Sequence, residues 1–317
     1  MKAVVIHEAG GPEKLILQDV PTPQPRPGWS LVKVKGFGIN HSEIFTREGK
    51  SPSVSFPRIL GIECVGEVAE STTPALTAGQ RVVSIMGEMG RAFDGSYAEY
   101  VLLPNEQIYP ISTSLDWKTL AALPETYYTA YGSLLKLWIR PSDTVLVRGA
   151  TSGVGVAFAN LLKARFPDIA LHGSTRASAK STRLHEAGFD EVVIDDKGIL
   201  QTDRRYDRIL ELIGPATLRN SFDHIAENGI VCSTGQLGNQ WYLDAFDPIM
   251  ELKNDSYLTS FYSGFVNAER LNALFAHVEQ YQVKIPIERV FRLSEVAEAH
   301  RFLQGAESFG KVIVIND

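Results

Sequence analysis

Near the middle of the chain the spacing of apolar residues changes within one turn. Val145, Leu146 and Val147 form an unbroken apolar run. Past Gly149-Ala150-Thr151-Ser152-Gly153 the apolar positions become Val154, Phe158, Leu161 and Leu162. The run predicts a buried strand, and the i, i+4, i+7, i+8 spacing predicts a helix with one buried face. Strand-like runs recur at 169–174, 192–195, 208–213 and 230–233, with helical stretches over 177–187 and 216–226. This alternation predicts a doubly wound parallel sheet. A last strand is expected over 257–261, followed by a helix over 268–281.

The first ~110 residues follow a different rhythm. Short strand-like runs lie at 1–8, 31–34, 65–68, 81–85 and 97–101, among Pro21, Pro23, Pro25, Pro27, Gly28, Gly36 and Gly38. Short strands with such punctuation predict a small barrel or partly open β domain. The end of the chain returns to this style, with strands at 289–291 and 311–315 around a helix at 296–303. The expected organisation is therefore a β-rich domain of residues 1–122 and 265–317, with an α/β domain of residues 123–264 inserted.

The mid-chain turn carries candidate chemistry. A helix N-terminus presents unpaired N–H groups and partial positive charge, which suit a phosphate. Gly153 and Gly155 allow close backbone approach. The glycine pattern is degenerate, because Ala150 and Ser152 stand where glycines are usual, and an ordinary strand–turn–helix is the alternative. The strand at 169–174 ends in Thr175-Arg176, with Lys180 beyond and no acidic residue for a ribose 2′-hydroxyl. Arg176 and Lys180 suit a 2′-phosphate, hence NADP(H), unless they are a solvated helix start.

Composition narrows the field. The 317 residues carry a net charge of −6, which argues against broad nucleic-acid or anionic-membrane binding. Only Cys64 and Cys232 are present, so no disulfide framework is expected and a cytoplasmic setting is. The first residues lack a signal-peptide apolar core, and no apolar run nears membrane-spanning length.

Several motifs in order resemble the medium-chain dehydrogenase/reductase superfamily. They are Gly38-Ile39-Asn40-His41-Ser42-Glu43, Pro57 to Val68, Asp94-Gly95-Ser96-Tyr97-Ala98-Glu99-Tyr100, Thr129-Ala130-Tyr131, the mid-chain turn, and Gly310-Lys311-Val312. The chain is most similar to the zinc-free quinone oxidoreductase branch, which includes zeta-crystallin. That resemblance implies a chaperonin-10-like (GroES-like) catalytic domain, a Rossmann domain, and NADPH in the cleft between them. It implies no metal: Asn40 stands where zinc enzymes have Cys, and Ile62 where they have His. His41 has no ligand partner of suitable spacing and reads as a hydrogen-bonded cleft or surface histidine.

The resemblance also implies roles. Asn40 lies near nicotinamide and substrate and hydrogen-bonds an incoming carbonyl, or else it only caps the next segment. Thr129 orients the nicotinamide amide. Glu43 relays a proton, or is a surface helix-start carboxylate. Phe45 replaces a Tyr of some relatives and removes a hydroxyl. Ser152, Gly153 and Val154 face the pyrophosphate, with Ser174, Arg176 and Lys180 toward the adenosine ribose. Ile213 and Gly235 line the crevice, and Phe261 flanks the nicotinamide. Lys311 closes over it or is an exposed strand lysine. Tyr127 and Tyr128 line the cleft or pack in the core, while residues 48–56 and those after Phe261 shape the acceptor pocket.

Without zinc, the expected substrate is already electrophilic: a quinone, or an enone in the alternative of an enoyl or 2-alkenal reductase. A non-enzymatic NADPH-binding protein is the other alternative. A short-chain dehydrogenase is disfavoured, since no Tyr has a Lys four residues later. A homodimer is expected through the open sheet edge at 257–261.

Overall fold

The computed structural model of the chain describes residues 1–316. The first elements are β1 (Lys2–Ile6), β2 (Ile16–Asp19), β3 (Trp29–Ile39), α1 (His41–Arg47), β4 (Arg58–Ile59), β5 (Glu63–Glu70), β6 (Arg81–Ile85), β7 (Tyr100–Pro104), β8 (Tyr109–Pro110), α2 (Trp117–Ala121) and α3 (Pro124–Lys136). Next come β9 (Thr144–Arg148), α4 (Gly153–Arg165), β10 (Ala170–Thr175), α5 (Ser181–Glu186), β11 (Glu191–Asp196), β12 (Ile199–Leu200), β13 (Tyr206–Glu211), α6 (Pro215–Asp223), β14 (Ile225–Ser233) and α7 (Pro248–Glu251). The chain closes with β15 (Tyr257–Ser260), α8 (Ala268–Gln280), β16 (Ile287–Arg292), α9 (Val296–Gln304) and β17 (Lys311–Ile315). Two compact units result: Met1–Tyr128, Ser263–Phe275 and the chain from Ile285 on form one, and Thr129–Tyr262 with Ala276–Lys284 form the other.

The first unit is built around β3. One sheet runs β16-β17-β3-β5-β6-β8, with β7 also paired to β3, and a smaller sheet runs β2-β1-β4. The C-terminal strand β17 is antiparallel to β3, with Ile313 opposite Gly38 and Val312 opposite Ile39. That register joins the two ends of the chain beside Asn40. Val32, Val34, Phe37, Ile39, Tyr97, Val312 and Val314 share its apolar core. The strand expected at 97–101 instead begins at Tyr100. Residues 97–99 bond elsewhere: Tyr97 N–H donates to Leu60 O, and its carbonyl accepts from Val4 N–H. They bridge toward β1 before the chain joins β3.

The second unit holds one sheet in the order β12-β11-β10-β9-β13-β14-β15. Neighbouring strands from β11 to β15 are parallel, and only β12 is antiparallel. The β11-β10-β9-β13-β14-β15 order is that of a Rossmann sheet, with its topological switch beside the central strand β9. Leu146, Val193, Tyr206, Ile209, Phe222 and Val231 pack one core of this unit. The expected helix over 177–187 resolves into a 3-10 turn, Ser178–Lys180, and the short α5.

Candidate active site

At the end of β3 the chain turns into α1 through Asn40, whose backbone is extended and whose side chain makes no cap hydrogen bond. The amide is used inside the first unit instead. Its Nδ2 donates to Glu63 Oε1 at 2.8 Å and toward Glu43 Oε1 at 3.4 Å. Its Oδ1 accepts from Lys311 Nζ at 2.7 Å and Thr126 Oγ1 at 3.3 Å. One amide hydrogen is committed to Glu63, and the other makes only the long approach to Glu43. As arranged, Asn40 links the members of a buried cluster.

Lys311 is the cation of that cluster. It is 3% exposed, which removes the exposed-lysine alternative. Its three ammonium hydrogens go to Asn40 Oδ1, Glu63 Oε1 at 2.8 Å and Thr126 Oγ1 at 2.7 Å. Gly38 makes the room: a Cβ there would lie 2.2 Å from Lys311 Nζ and 2.3 Å from Glu63 Oε1. Glu63 Oε2 accepts from Glu125 N–H at 2.8 Å, tying the cluster to the start of α3.

Glu43, in the first turn of α1, is 1% exposed, so the surface-carboxylate alternative falls. It is poorly served by donors. Asn40 Nδ2 and Ile62 N–H both approach Oε1 only to 3.4 Å, and Oε2 has no hydrogen-bond partner among the described residues. Burial first, and then the neighbouring Glu63, push the carboxyl up to about 8 against the pull of Lys311. At neutral pH Glu43 therefore holds a proton.

The second unit carries the glycine turn. Gly149 has φ +83° and directs β9 into the loop. Ser152 caps α4, its Oγ accepting from Gly155 N–H at 3.1 Å. That bond uses an oxygen lone pair and not the hydroxyl hydrogen. A Cβ on Gly155 would lie 2.6 Å from Ala150 O, so glycine is required where helix and strand meet. Ser174 is 1% exposed, and its Oγ accepts from Gly149 N–H at 3.1 Å, so it braces the turn from behind. Arg176 is exposed just past the end of β10, and Lys180 ends the following 3-10 turn. Ile213 and Gly235 gather at the carboxyl ends of β13 and β14: a Cβ on Gly149 would touch Ile213, and one on Gly235 would lie 2.2 Å from Leu212 O.

The other candidates are more internal. Thr129 is buried on α3. Phe261 is 6% exposed, its ring against Gly132, where a Cβ would lie 2.2 Å from ring carbons. Tyr127 and Tyr128 are buried, and Tyr128 Oη donates to Phe265 O at 3.2 Å while accepting from Asn267 N–H at 3.1 Å. Both side chains are internal to the first unit. Phe45 is half-buried with Lys50 Nζ 5.5 Å from its ring centre.

The sequence reading missed a charged cluster beneath the turn. Arg148, 0% exposed at the end of β9, donates to Asp195 Oδ2 at 2.8 Å, Gly198 O at 2.7 Å, Thr217 O at 2.9 Å and Ser221 Oγ at 3.0 Å. Glu211, also 0% exposed, accepts from Ile213 N–H at 2.8 Å, Gly214 N–H at 3.1 Å and Ser221 Oγ at 2.6 Å. The available signal was a charged residue closing each of two apolar strands.

Residues 26–113 match the family described as "Alcohol dehydrogenase GroES-like domain", and residues 187–314 that described as "Zinc-binding dehydrogenase". The chain is 28% identical to the quinone oxidoreductase of Homo sapiens, across 99% of this chain and 98% of that protein. The structure of the quinone oxidoreductase from Coxiella burnetii is 26% identical, with a TM-score of 0.84 and 99% of each chain covered. A mycobacterial protein complexed with NADPH shares the fold at 22% identity and a TM-score of 0.84, covering 99% of this chain and all of that one. The zinc in the second description does not fit the residues here. Ile62 is apolar and buried, the ammonium of Lys311 already serves Glu63, and burial pushes the Cys64 thiol up to about 12, where it is no thiolate. Among the described residues no three His, Cys, Asp or Glu side chains are grouped to hold a metal ion.

Proposed function

We propose that this chain, which belongs to the medium-chain dehydrogenase/reductase superfamily, reduces quinones or similarly conjugated carbonyls with NADPH and without zinc. As an oxidoreductase of that superfamily it uses a nicotinamide cofactor and a small-molecule substrate. The observation that carries the finer reading is the Asn40–Glu63–Lys311–Thr126 cluster beside Glu43. Its cation is an ammonium with all its hydrogens engaged, so the cluster offers no Lewis acid to make an alkoxide. A conjugated carbonyl needs none. Reducing it takes a hydride and a proton, and the nicotinamide supplies the hydride when bound. Glu43, protonated at neutral pH behind Asn40, is the proton reserve.

In the second unit, the N–H groups of Gly153 and Val154 and the Ser152 hydroxyl would hold the pyrophosphate at the N-terminus of α4. Arg176, exposed past a strand whose end carries no acidic residue in sequence, supports NADPH over NADH. A charge-assisted hydrogen bond of ~1.5–3 kcal/mol implies that Arg176→Ala lowers the NADPH preference in kcat/KM by about tenfold to hundredfold. A homodimer through β15 is part of the same reading. β15 is the outermost strand, and Tyr257 and Leu258, on its opposite faces, are 57% and 38% exposed. Gel filtration of the Tyr257→Lys variant would give the monomer.

The direct test is the initial rate of NADPH oxidation with an ortho-quinone after exhaustive chelation, with NADH alongside. Turnover that survives and prefers NADPH is the expected result. Activity lost on chelation and restored by zinc would overturn the metal-free reading. Turnover with enones alone would move the substrate class to alkenal reduction.

A further inference from the structure

A buried polar chain in the first unit has no part in the reaction as described so far. Arg47 on α1 is 1% exposed, and His300 on α9 and Tyr97 are both 0% exposed. Arg47 NH1 lies 3.2 Å from His300 Nδ1, and His300 Nε2 lies 2.9 Å from Tyr97 Oη. Arg47 also donates to Gly10 O at 2.9 Å, Glu48 Oε1 at 3.1 Å and Gln304 Oε1 at 3.0 Å.

Hydrogen-bond chemistry fixes the direction of this chain. A guanidinium only donates, so His300 Nδ1 must be the lone-pair nitrogen. Burial, then the charge of Arg47, push His300 down to about 3, so the ring is neutral and its single hydrogen sits on Nε2. That hydrogen is donated to Tyr97 Oη. The tyrosine's own hydrogen must then point to a different acceptor. Its hydroxyl faces Glu43: burial first, then the Glu43 and Glu63 carboxyls, raise it well above the usual phenol range, with a hydrogen bond toward Glu43 adding to the rise. Glu43 in turn has an oxygen, Oε2, that is buried and without a partner. One undirected hydrogen and one unserved oxygen remain, and they belong to neighbouring side chains.

We propose that Tyr97 is a positioning residue for Glu43, its hydroxyl hydrogen forced toward the Glu43 carboxyl by the Arg47–His300 pair. The inference rests on Glu43 as the proton source in the proposed function. When the Glu43 O–H bond breaks and the proton goes to the reduced acceptor's oxygen, Tyr97 keeps its own hydrogen and stabilises the carboxylate left behind. Solvent then returns a proton to Glu43. Glu43 is also faced by Glu63 of β5, Lys311 of β17 and Glu125 of α3, with Asn40 and the Ile62 N–H nearest. His41 and Arg47 on α1 face His300, and Arg91 reaches α1 at Ser42.

The test is the pH dependence of kcat for NADPH-driven quinone reduction by the full-length enzyme. The wild-type rate should fall as pH rises through the ionisation of Glu43. Tyr97→Phe keeps the ring stacked on Phe37 and removes only the donor. The carboxylate loses stabilisation, so the alkaline limb should move to higher pH by about one unit. His300→Gln can still accept from Arg47 and donate to Tyr97, and should keep the wild-type limb. His300→Glu still accepts from Arg47 and also offers Tyr97 an acceptor, which draws its hydrogen away from Glu43. It should shift the limb as Tyr97→Phe does, which covers the case in which Tyr97→Phe fails to fold. A limb unmoved in both Tyr97→Phe and His300→Glu, yet abolished in Glu43→Gln, would overturn the role of Tyr97 while leaving Glu43 as proton source. A limb that persists in Glu43→Gln would overturn both.

Discussion

Glu43 and Glu211 are both buried glutamates at the edge of a helix start, yet their surroundings differ in donors. Glu211 accepts from two backbone N–H groups and a serine hydroxyl, with Arg148 3.9 Å away. Glu43 has two long contacts at 3.4 Å and one oxygen with no partner. Burial raises both, but for Glu211 the arginine, Ser221 and the two N–H groups pull the other way. A carboxyl supplied with donors suits a strut that fixes strand ends. One short of donors suits holding a proton for chemistry. Depth of burial does not separate these roles; the number of donors does.

The largest effect should come from removing the cation of the strut. Arg148→Met leaves Asp195 and Glu211 buried with no counter-charge. Breaking a buried ion pair in this way costs about 3–5 kcal/mol. Urea unfolding should show that loss, together with weakened NADPH binding as the ends of β9, β11 and β13 loosen. A loss under 1 kcal/mol would mean that Arg148 is a passenger.

Glu43→Gln against Glu211→Gln divides the two roles directly. Losing a general acid lowers kcat by about 100-fold or more, so Glu43→Gln should bind NADPH normally and turn over poorly. Glu211→Gln should do the reverse, losing about 1–3 kcal/mol of stability with little change in kcat per folded molecule. Equal kcat values for the two variants would erase the distinction.

The sequence made the sheet legible because strand and helix periods switch cleanly at Gly149 and repeat to β15. Asn40, Glu43 and Lys311 were legible as motif positions. Their surroundings were not. Lys311 and Asn40 are 271 residues apart, and only the pairing of β17 with β3 brings them together. Whether a lysine at a strand start is exposed or buried depends on what its neighbour strand lacks, here a side chain at Gly38. Arg148, Glu211 and the Tyr97–His300–Arg47 chain escaped for the same reason. Each is an ordinary polar residue locally, and its partners come from distant elements.

Gly38→Ala should fall next in size, and Gly155→Ala is its counterpart in the other unit. At Gly38 the added carbon meets the ends of the Lys311 and Glu63 side chains, which can shift. At Gly155 it meets the Ala150 backbone at 2.6 Å, which cannot. Overpacking costs roughly 1–3 kcal/mol. Gly38→Ala should therefore disturb the proton-holding cluster and lower kcat more than NADPH affinity, whereas Gly155→Ala should lose NADPH affinity first. Stopped-flow turnover and NADPH titration on both variants separate the outcomes.

The last comparison is a pH dependence of stability. A folded-state value of about 8 for Glu43 lies above the 4.5 of a free glutamate. Below both values the carboxyl is protonated folded or unfolded and exerts no bias. Between them the unfolded chain releases a proton that the folded chain keeps, so stability falls as pH rises, and it levels off above the folded value. Glu43→Gln has no such proton. Its Tm relative to wild type should therefore climb through that window and stay constant beyond it. His300 acts in the opposite direction: held down to about 3, it makes the fold lose stability as pH falls below the 6.5 of a free histidine. His300→Gln should flatten the acid side as Glu43→Gln flattens the neutral side. Thermal melts of both variants across pH test whether the two groups act separately. A Glu43→Gln difference that does not change with pH would mean that the fold does not hold a proton on Glu43.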